Sequence, residues 1–506
     1  MKKIILYSSL IATLAMSGCS KEYLDVNPTN KISSSDIFTT TANANIALNG
    51  IYGYMFLRTT TTTSNVQGKP GVPGILLGVD FMGEDLHQAN ATWFTSTGEG
   101  TYVAARTDNA ASNLYYFRTF YQIIGNANAI IDNIAGAVGA DADKARIKAE
   151  ALALRAYSYS YLVQFYGTRY VAGATNTQLA VPLLTKSTDT KMPRVSVEAI
   201  YTQINADLDA AITLFGSASA RPNKSHIDIW TAKGLKARVA LTMQNYATAI
   251  NYAKQVVDGG AYPLMSQASY QSGFNDAPNL SEVMWACMPN TEQGDTFGSY
   301  FAQIAYNANT TYERGTPKMI NSKLYDLIGA NDVRKKMWEP APTTANFPLP
   351  STAFTRRAYM SRKFATKSND GPSLGDVTLM RSSEMYLILA EAYASSATPQ
   401  TTLAQTTLFN LVKVRDLTAV QSTNTDAALT NEILVNRRVE LWGEGFRYLD
   451  LKRLNLPLDR TAANVPNFVP GSVNNVLTIP AGDPRFLFLI PKSEIDANPN
   501  IGPQNP

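Results

Sequence analysis

Apolar residues recur at helical spacing over long stretches of the chain and lose that spacing in between. In residues 141–167, Ile147, Ala151, Leu154, Tyr161 and Phe165 fall on one helical face, and Gly167 ends the run. In 196–215, Ile200, Ile204, Leu208 and Ile212 recur at every fourth position behind Ser196, a good N-cap. The pattern predicts further helices over 42–57, 227–243, 246–260, 378–396, 401–417 and 428–442. The runs at 227–243 and 246–260 are joined by a very short turn, the second is stopped by Gly259 and Gly260, and both set small alanines against larger apolar residues. A helix pair of this kind cannot bury its apolar face alone, so pairs stack, in the manner of tetratricopeptide repeats.

Elsewhere the periodicity fails. Residues 59–74 read as a loop rich in Thr, Gly and Pro, and 75–112 are aromatic and Gly-containing with no clean period. Residues 261–377 carry many Pro, Gly, Asn and aromatic residues, with strand-like runs such as 282–288. The tail, 456–506, reads as loop with short strands. The expected fold class is mainly α: a tetratricopeptide-like helix-pair scaffold with minor short β-strands. It forms a single domain over 41–506, with helical repeats in 41–260, a loop-rich region at 261–377, and C-terminal helices and tail at 378–506. Loops carried on a rigid scaffold are where binding residues belong.

The first residues follow another logic. Lys2 and Lys3 precede an apolar run of thirteen residues at 4–16, too short to cross a bilayer, which takes about 20. Met-Ser-Gly-Cys at 16–19 resembles a lipobox. Residues 1–18 are therefore expected to be a lipoprotein signal peptide and Cys19 the lipidated residue, with 19–40 as tether and lead-in. Each buried acyl methylene adds about 0.8 kcal/mol of membrane affinity. With Cys19 so used, the other cysteine, Cys287, is expected to form no disulfide.

Composition narrows the partners. The 506 residues are 45% apolar, enough for a large core, and only 17% charged, with a formal net charge of +4. Setting aside Lys2 and Lys3 leaves 42 basic against 40 acidic residues and no basic block, so a nucleic-acid footprint is missing. The two histidines, His87 and His226, are far apart, and no Cys/His cluster has zinc spacing. No metal, cofactor or catalytic residue is expected. Glu440 and Glu444 lie among Arg437, Arg438, Arg447 and Arg453, which favours ion-paired carboxylates over a proton donor. For Glu84 and Asp85, ligand hydrogen bonding or capping is favoured over catalysis. An aromatic face stacks well on the C–H face of a sugar ring. The candidates in irregular segments are Trp93, Phe94 and Tyr102, then Tyr300, Tyr306, Tyr312 and Trp338, with Asp80, Asn307 and Arg314 to read hydroxyls. Core packing is the competing use of each aromatic. Trp285, inside a strand-like run, is expected in the core, and Arg58, at a helix end, ranks below the others.

Several motifs in order carry a resemblance. They are YLDVNPTNKIS (23–33), EALALRAYSYSYLVQFYG (150–167), AKGLKARVAL (232–241), LMRSSEMYLILAEAYA (379–394), LVKVRDL (411–417), NRRVELWGEGFRYLDLKRL (436–454) and FLIPKSEIDANPNIGPQNP (488–506). Together they resemble the SusD/RagB family of bacterial surface lipoproteins, although Asn436 stands where an acid commonly precedes the arginine pair. The resemblance implies a helical fold with four tetratricopeptide-like units, lipid-anchored at the cell surface on the outer membrane. It implies a non-catalytic nutrient binder that sits as a lid over a SusC-like TonB-dependent transporter. Ligands of such proteins are usually oligosaccharides, and some members take peptides. The quoted motifs belong to the scaffold, so the resemblance assigns no ligand-binding residue.

Overall fold

The structure, a computed structural model, describes residues 37–58, 66–88, 97–368, 371–461 and 476–506. Its main helices are α1 (Thr41–Tyr54), α2 (Gly71–Met82), α3 (Ala111–Asn133), α4 (Asp141–Tyr166), α5 (Val197–Phe215), α6 (Ile229–Thr242), α7 (Tyr246–Gly259), α8 (Ser382–Ser395), α9 (Thr401–Arg415), α10 (Asp426–Glu440) and α11 (Arg447–Leu454). From α3 onward each helix packs on the next: α3 on α4, α4 on α5, α5 on α6 and α6 on α7. The stack then continues from α7 onto α8 and α9 although residues 260–381 intervene. The scaffold is thus drawn from two separated parts of the chain, with the loop-rich region carried between them.

Local chemistry sets the helix ends. Ser196 Oγ accepts from the Ala199 amide at 3.1 Å, and Asn245 caps α7 through the Thr248 amide at 3.2 Å. Gly260 follows α7 with φ +63°, a left-handed conformation that glycine adopts without strain. The central helix is α4, buried along nearly its whole circumference by α1, α3, α5 and α6. Such a helix has no polar face, and its aromatic residues fill the core: Phe120 stacks on Tyr161 with centroids 5.2 Å apart.

Three of the elements that depart from the sequence pattern bear on the site. Helix α2 lies where a loop and an aperiodic stretch are expected. All its residues are buried, so apolar and polar positions do not alternate. Its Pro73 sits in the first turn, where a missing N–H leaves no bond unmade. Helix α3 begins inside that stretch and runs well past it. Residues 377–381 are extended rather than helical. They form a strand, Val377–Arg381, paired antiparallel with the strand Val283–Cys287, so α8 starts only at Ser382. Trp285 of the latter strand is fully buried, as a core residue should be.

Strands Leu86–Gln88, Lys318–Ile320, Met360–Ser361 and Trp338–Glu339 form a small antiparallel sheet in that order. It ties the loop-rich region to the segment after α2. A buried ionic cluster ties the same region to the C-terminal helices. Arg334, Lys363, Arg381 and Arg415 meet Glu282, Asp332, Glu440 and Glu444, four charges against four. Arg381 reaches Glu440 at 2.6 Å and Glu444 at 2.8 Å. Burial pushes the Glu440 carboxyl up, but Arg415, Arg381 and Arg334 overcome this and hold it well below the usual carboxylate range.

Candidate functional site

Where the loop-rich region meets the start of the chain, an open cleft of about 640 Å³ is formed. One wall is Phe56–Arg58, just after α1. The Val72 amide donates to the Met55 carbonyl at 2.6 Å and clamps this segment to the start of α2. Gly71, with φ +52°, lies so close to Met55 that a Cβ would overlap its carbonyl. The opposite wall is the loop after the Val283–Cys287 strand. There Asn290 and Gln293 cap each other reciprocally around a short turn. Asp295 Oδ1 accepts from the amides of Phe297 (3.0 Å) and Gly298 (2.8 Å). Ser299 donates to the Ser373 carbonyl and Ser373 donates to the Thr296 carbonyl, which stitches this loop to the one that leads into the Val377–Arg381 strand.

The cleft's chemistry follows from this framework. Asp295 Oδ2 accepts from Arg58 Nε at 2.9 Å and Nη2 at 2.5 Å. Both carboxylate oxygens are then occupied, so Asp295 positions the guanidinium and the loop. Arg58 Nη1 is the donor left for a ligand. Phe297 is 44% exposed, and among the described residues no other aromatic side chain is exposed to more than about a third. Phe56, Leu57 and Pro73 add apolar surface, and Glu292 adds a carboxylate. An exposed ring beside a fixed donor and an acceptor can take a molecule with an apolar face and hydroxyls at its rim.

The residues proposed from sequence are scattered with respect to this cleft. Tyr300 lines its floor but is buried, and its hydroxyl donates to the Gly443 carbonyl at 2.5 Å. Tyr102 is buried away from the cleft, in a left-handed conformation, and donates to the Met82 carbonyl at 2.5 Å. Trp338 is 1% exposed and sets its ring edge-on to Trp442, so its faces pack against protein. Tyr306 is half-buried, edge-on to Phe347 in a small cluster with Met319 and Met360. Asp80 is buried in α2 and accepts from the amides of Gly445 (2.8 Å) and Phe446 (3.3 Å). Asn307 bonds both backbone groups of Thr366, and Arg314 is half-buried outside the cleft lining. Cys19, Trp93 and Phe94 lie outside the described residues, as does the side chain of Tyr312.

The acids weighed for catalysis are held by arginines. Glu84 meets Arg447 at 2.6 Å and Asp85 meets Arg438 at 2.5 Å, while Glu440 and Glu444 belong to the buried cluster. Among the described residues no group of three His, Cys, Asp or Glu side chains could hold a metal ion. Sequence reasoning passed over Phe297, Asp295, Glu292 and Gln293. A phenylalanine within Asp-Thr-Phe-Gly-Ser was the available signal: an apolar ring flanked by turn-formers, with no strand or helix to bury it.

Comparison with known proteins agrees with the fold. Residues 229–506 match the model of the SusD family, and residues 22–241 match a model described as starch-binding associating with outer membrane. SusD-like protein P2 of Formosa agariphila is 24% identical, with 98% of each chain covered. A SusD-like carbohydrate binding protein from Bacteroides vulgatus superposes with a TM-score of 0.76 at 26% identity, covering 92% of this chain and 98% of that one. A SusD superfamily protein from Bacteroides thetaiotaomicron gives the same TM-score at 27% identity, covering 92% and 100%. With its stacked helix pairs, its interrupted scaffold and a family match over more than half its length, the chain belongs to the SusD family.

Proposed function

We propose that this protein is a non-catalytic binder of oligosaccharides at the cell surface that passes its ligand to a SusC-like TonB-dependent transporter in the outer membrane. The observation that carries the reading is Phe297, an exposed ring beside Arg58, whose guanidinium is fixed by Asp295. A sugar buries its C–H face on the ring and gives its hydroxyls to Arg58 and Glu292. The carbohydrate-binding relative and the starch-binding family description support that ligand class. Ion-paired acids support binding without hydrolysis, since a proton donor needs a carboxyl held neutral. Attachment is through lipid on Cys19. No helix among the described residues is long and apolar enough to cross a membrane.

The test is binding by the form that starts after Cys19, on parallel arrays of polysaccharides and peptides, with Phe297→Ala alongside. Binding to a glycan class, weakened by the substitution, supports the reading. Binding to peptides alone replaces it with a peptide-importing role. Release of reducing ends from a bound glycan would overturn the non-catalytic part.

A further inference from the structure

A second, smaller cavity of about 230 Å³ adjoins the cleft and shares Phe56 and Gln293 with it as a common wall. Its other lining comes from α1, from the loop ahead of α6, and from the Val283–Cys287 strand. Asn49 and Asn223 are exposed at its edge, and His226, 5% exposed, stands within it.

The imidazole of His226 is fixed from two sides. Its Nδ1 lies 2.8 Å from Oε2 of Glu150, and its ring rests on Tyr52 with centroids 4.5 Å apart. Glu150 is fully buried. Its Oε2 also accepts from the Tyr52 hydroxyl at 2.6 Å, and its Oε1 from Arg146 Nη1 at 2.8 Å. A carboxylate only accepts, so Nδ1 carries a proton, and in the neutral form of the ring the lone pair is on Nε2. No described residue bonds to Nε2. A buried acceptor of fixed orientation is left for whatever enters the cavity.

Nucleophilic catalysis does not fit here, although Cys287 also lines the cavity. Burial pushes its thiol well above the ordinary value, so it stays protonated. The lining includes no Lys, Arg, Asp or Glu, so a charged group would lose its hydration without a partner. The volume falls below the roughly 300–1,000 Å³ of a site for a drug-sized ligand, which suits one small ring. Asn, Ser, His and Gln around the wall suit hydroxyls.

We infer that this cavity is a side subsite of the cleft, taking one neutral sugar residue that branches from a main chain held against Phe297, with His226 Nε2 accepting from one of its hydroxyls. The inference rests on the oligosaccharide reading of the cleft. It makes the preferred ligand a branched neutral glycan rather than a linear or acidic one.

The chain has two histidines, so ¹⁵N-histidine labelling resolves both rings. The probes are matched branched and linear oligosaccharides: xyloglucan with cello-oligosaccharides, galactomanno- with manno-oligosaccharides, and arabinoxylo- with xylo-oligosaccharides. The branched member of a bound pair is expected to bind at least tenfold tighter and to shift the His226 Nε2 resonance, with His87 unmoved. Asn49→Trp, at an exposed helix position, fills the cavity mouth. It should bring the branched affinity down to the linear value without unfolding the protein. Equal affinities within every bound pair, with His226 unmoved, would overturn the side subsite and leave the cleft as a glycan site. Binding to sulfated or uronate glycans in place of neutral ones would also overturn it. Failure of all glycans to bind would remove both readings together.

Discussion

Arg58 and Asp295 are 237 residues apart in the chain, yet one carboxylate oxygen takes both the Nε and Nη2 hydrogens of the arginine. The pair joins the end of α1 to the loop-rich region across the mouth of the cleft. At 35% and 28% side-chain exposure it is partly open to solvent. Its value to stability is accordingly small, about 0–1 kcal/mol. Its structural effect is to hold a donor still beside Phe297.

Asp295→Asn should therefore separate binding from stability. The melting temperature is expected to stay within a degree or two of the parent. Ligand affinity should fall roughly tenfold, because Arg58 loses its anchor and the Phe297 loop loses an ionised turn acceptor. Titration calorimetry with scanning calorimetry on the same sample checks both. An unchanged affinity would show that Arg58 needs no anchor.

Phe297→Ala and Trp338→Ala should behave oppositely. The first removes an exposed ring and is expected to weaken binding about tenfold with little change in unfolding free energy. The second empties a core position and should cost about 3–5 kcal/mol of stability. Denaturant unfolding beside binding isotherms reads out the contrast.

Glu440→Gln, nearly isosteric and fully buried, should be strongly destabilising. It removes the carboxylate that Arg334, Arg381 and Arg415 share and leaves four buried cations against the three acids Glu282, Asp332 and Glu444, where breaking such a pairing costs about 3–5 kcal/mol. A shift of the urea midpoint measures it. The far-ultraviolet dichroism of the folded form should be unaltered.

Asp80 gives a pH dependence of unusual sign. Burial raises its carboxyl from 3.8 to about 7, partly opposed by the amides of Gly445 and Phe446. Between those values the folded chain holds a proton that the unfolded chain releases. This contribution to stability is full below about pH 3.8, falls as pH rises, and is gone above about pH 7. Asp80→Asn should remove that slope, seen as a smaller difference in unfolding free energy between pH 5 and pH 7 than in the parent.

The helices at 141–167, 196–215, 227–243 and 246–260 were legible because each has a stop or a cap and most have a face. Helix α2 was hidden for the opposite reason: buried on every side, with two inner glycines and a proline, it shows no period. The strand at 377–381 was absorbed into α8 because its partner, Val283–Cys287, lies nearly a hundred residues away. The same distance effect obscured the cleft. Nothing local to Arg58 announces Asp295, and aromatic residues in irregular sequence are as readily folded inward, as Trp338 and Tyr102 are. Among the described residues the most exposed aromatic ring is that of Phe297, in a stretch with no helical or strand period to mark it.

The contact of α7 with α8 across residues 260–381 bears on how ligand recognition can vary on one scaffold. The scaffold fixes the two ends of the intervening segment, and its strands and buried ion pairs fix a few points within it, so the loops between those points carry little of the fold. Closing a longer excursion is thermodynamically mild, about 0.6 kcal/mol for each doubling of length. Ligand-facing loops can therefore be lengthened, trimmed or exchanged while the helices that carry them stay in register. Recognition and architecture are, in effect, free to evolve at different speeds within one chain.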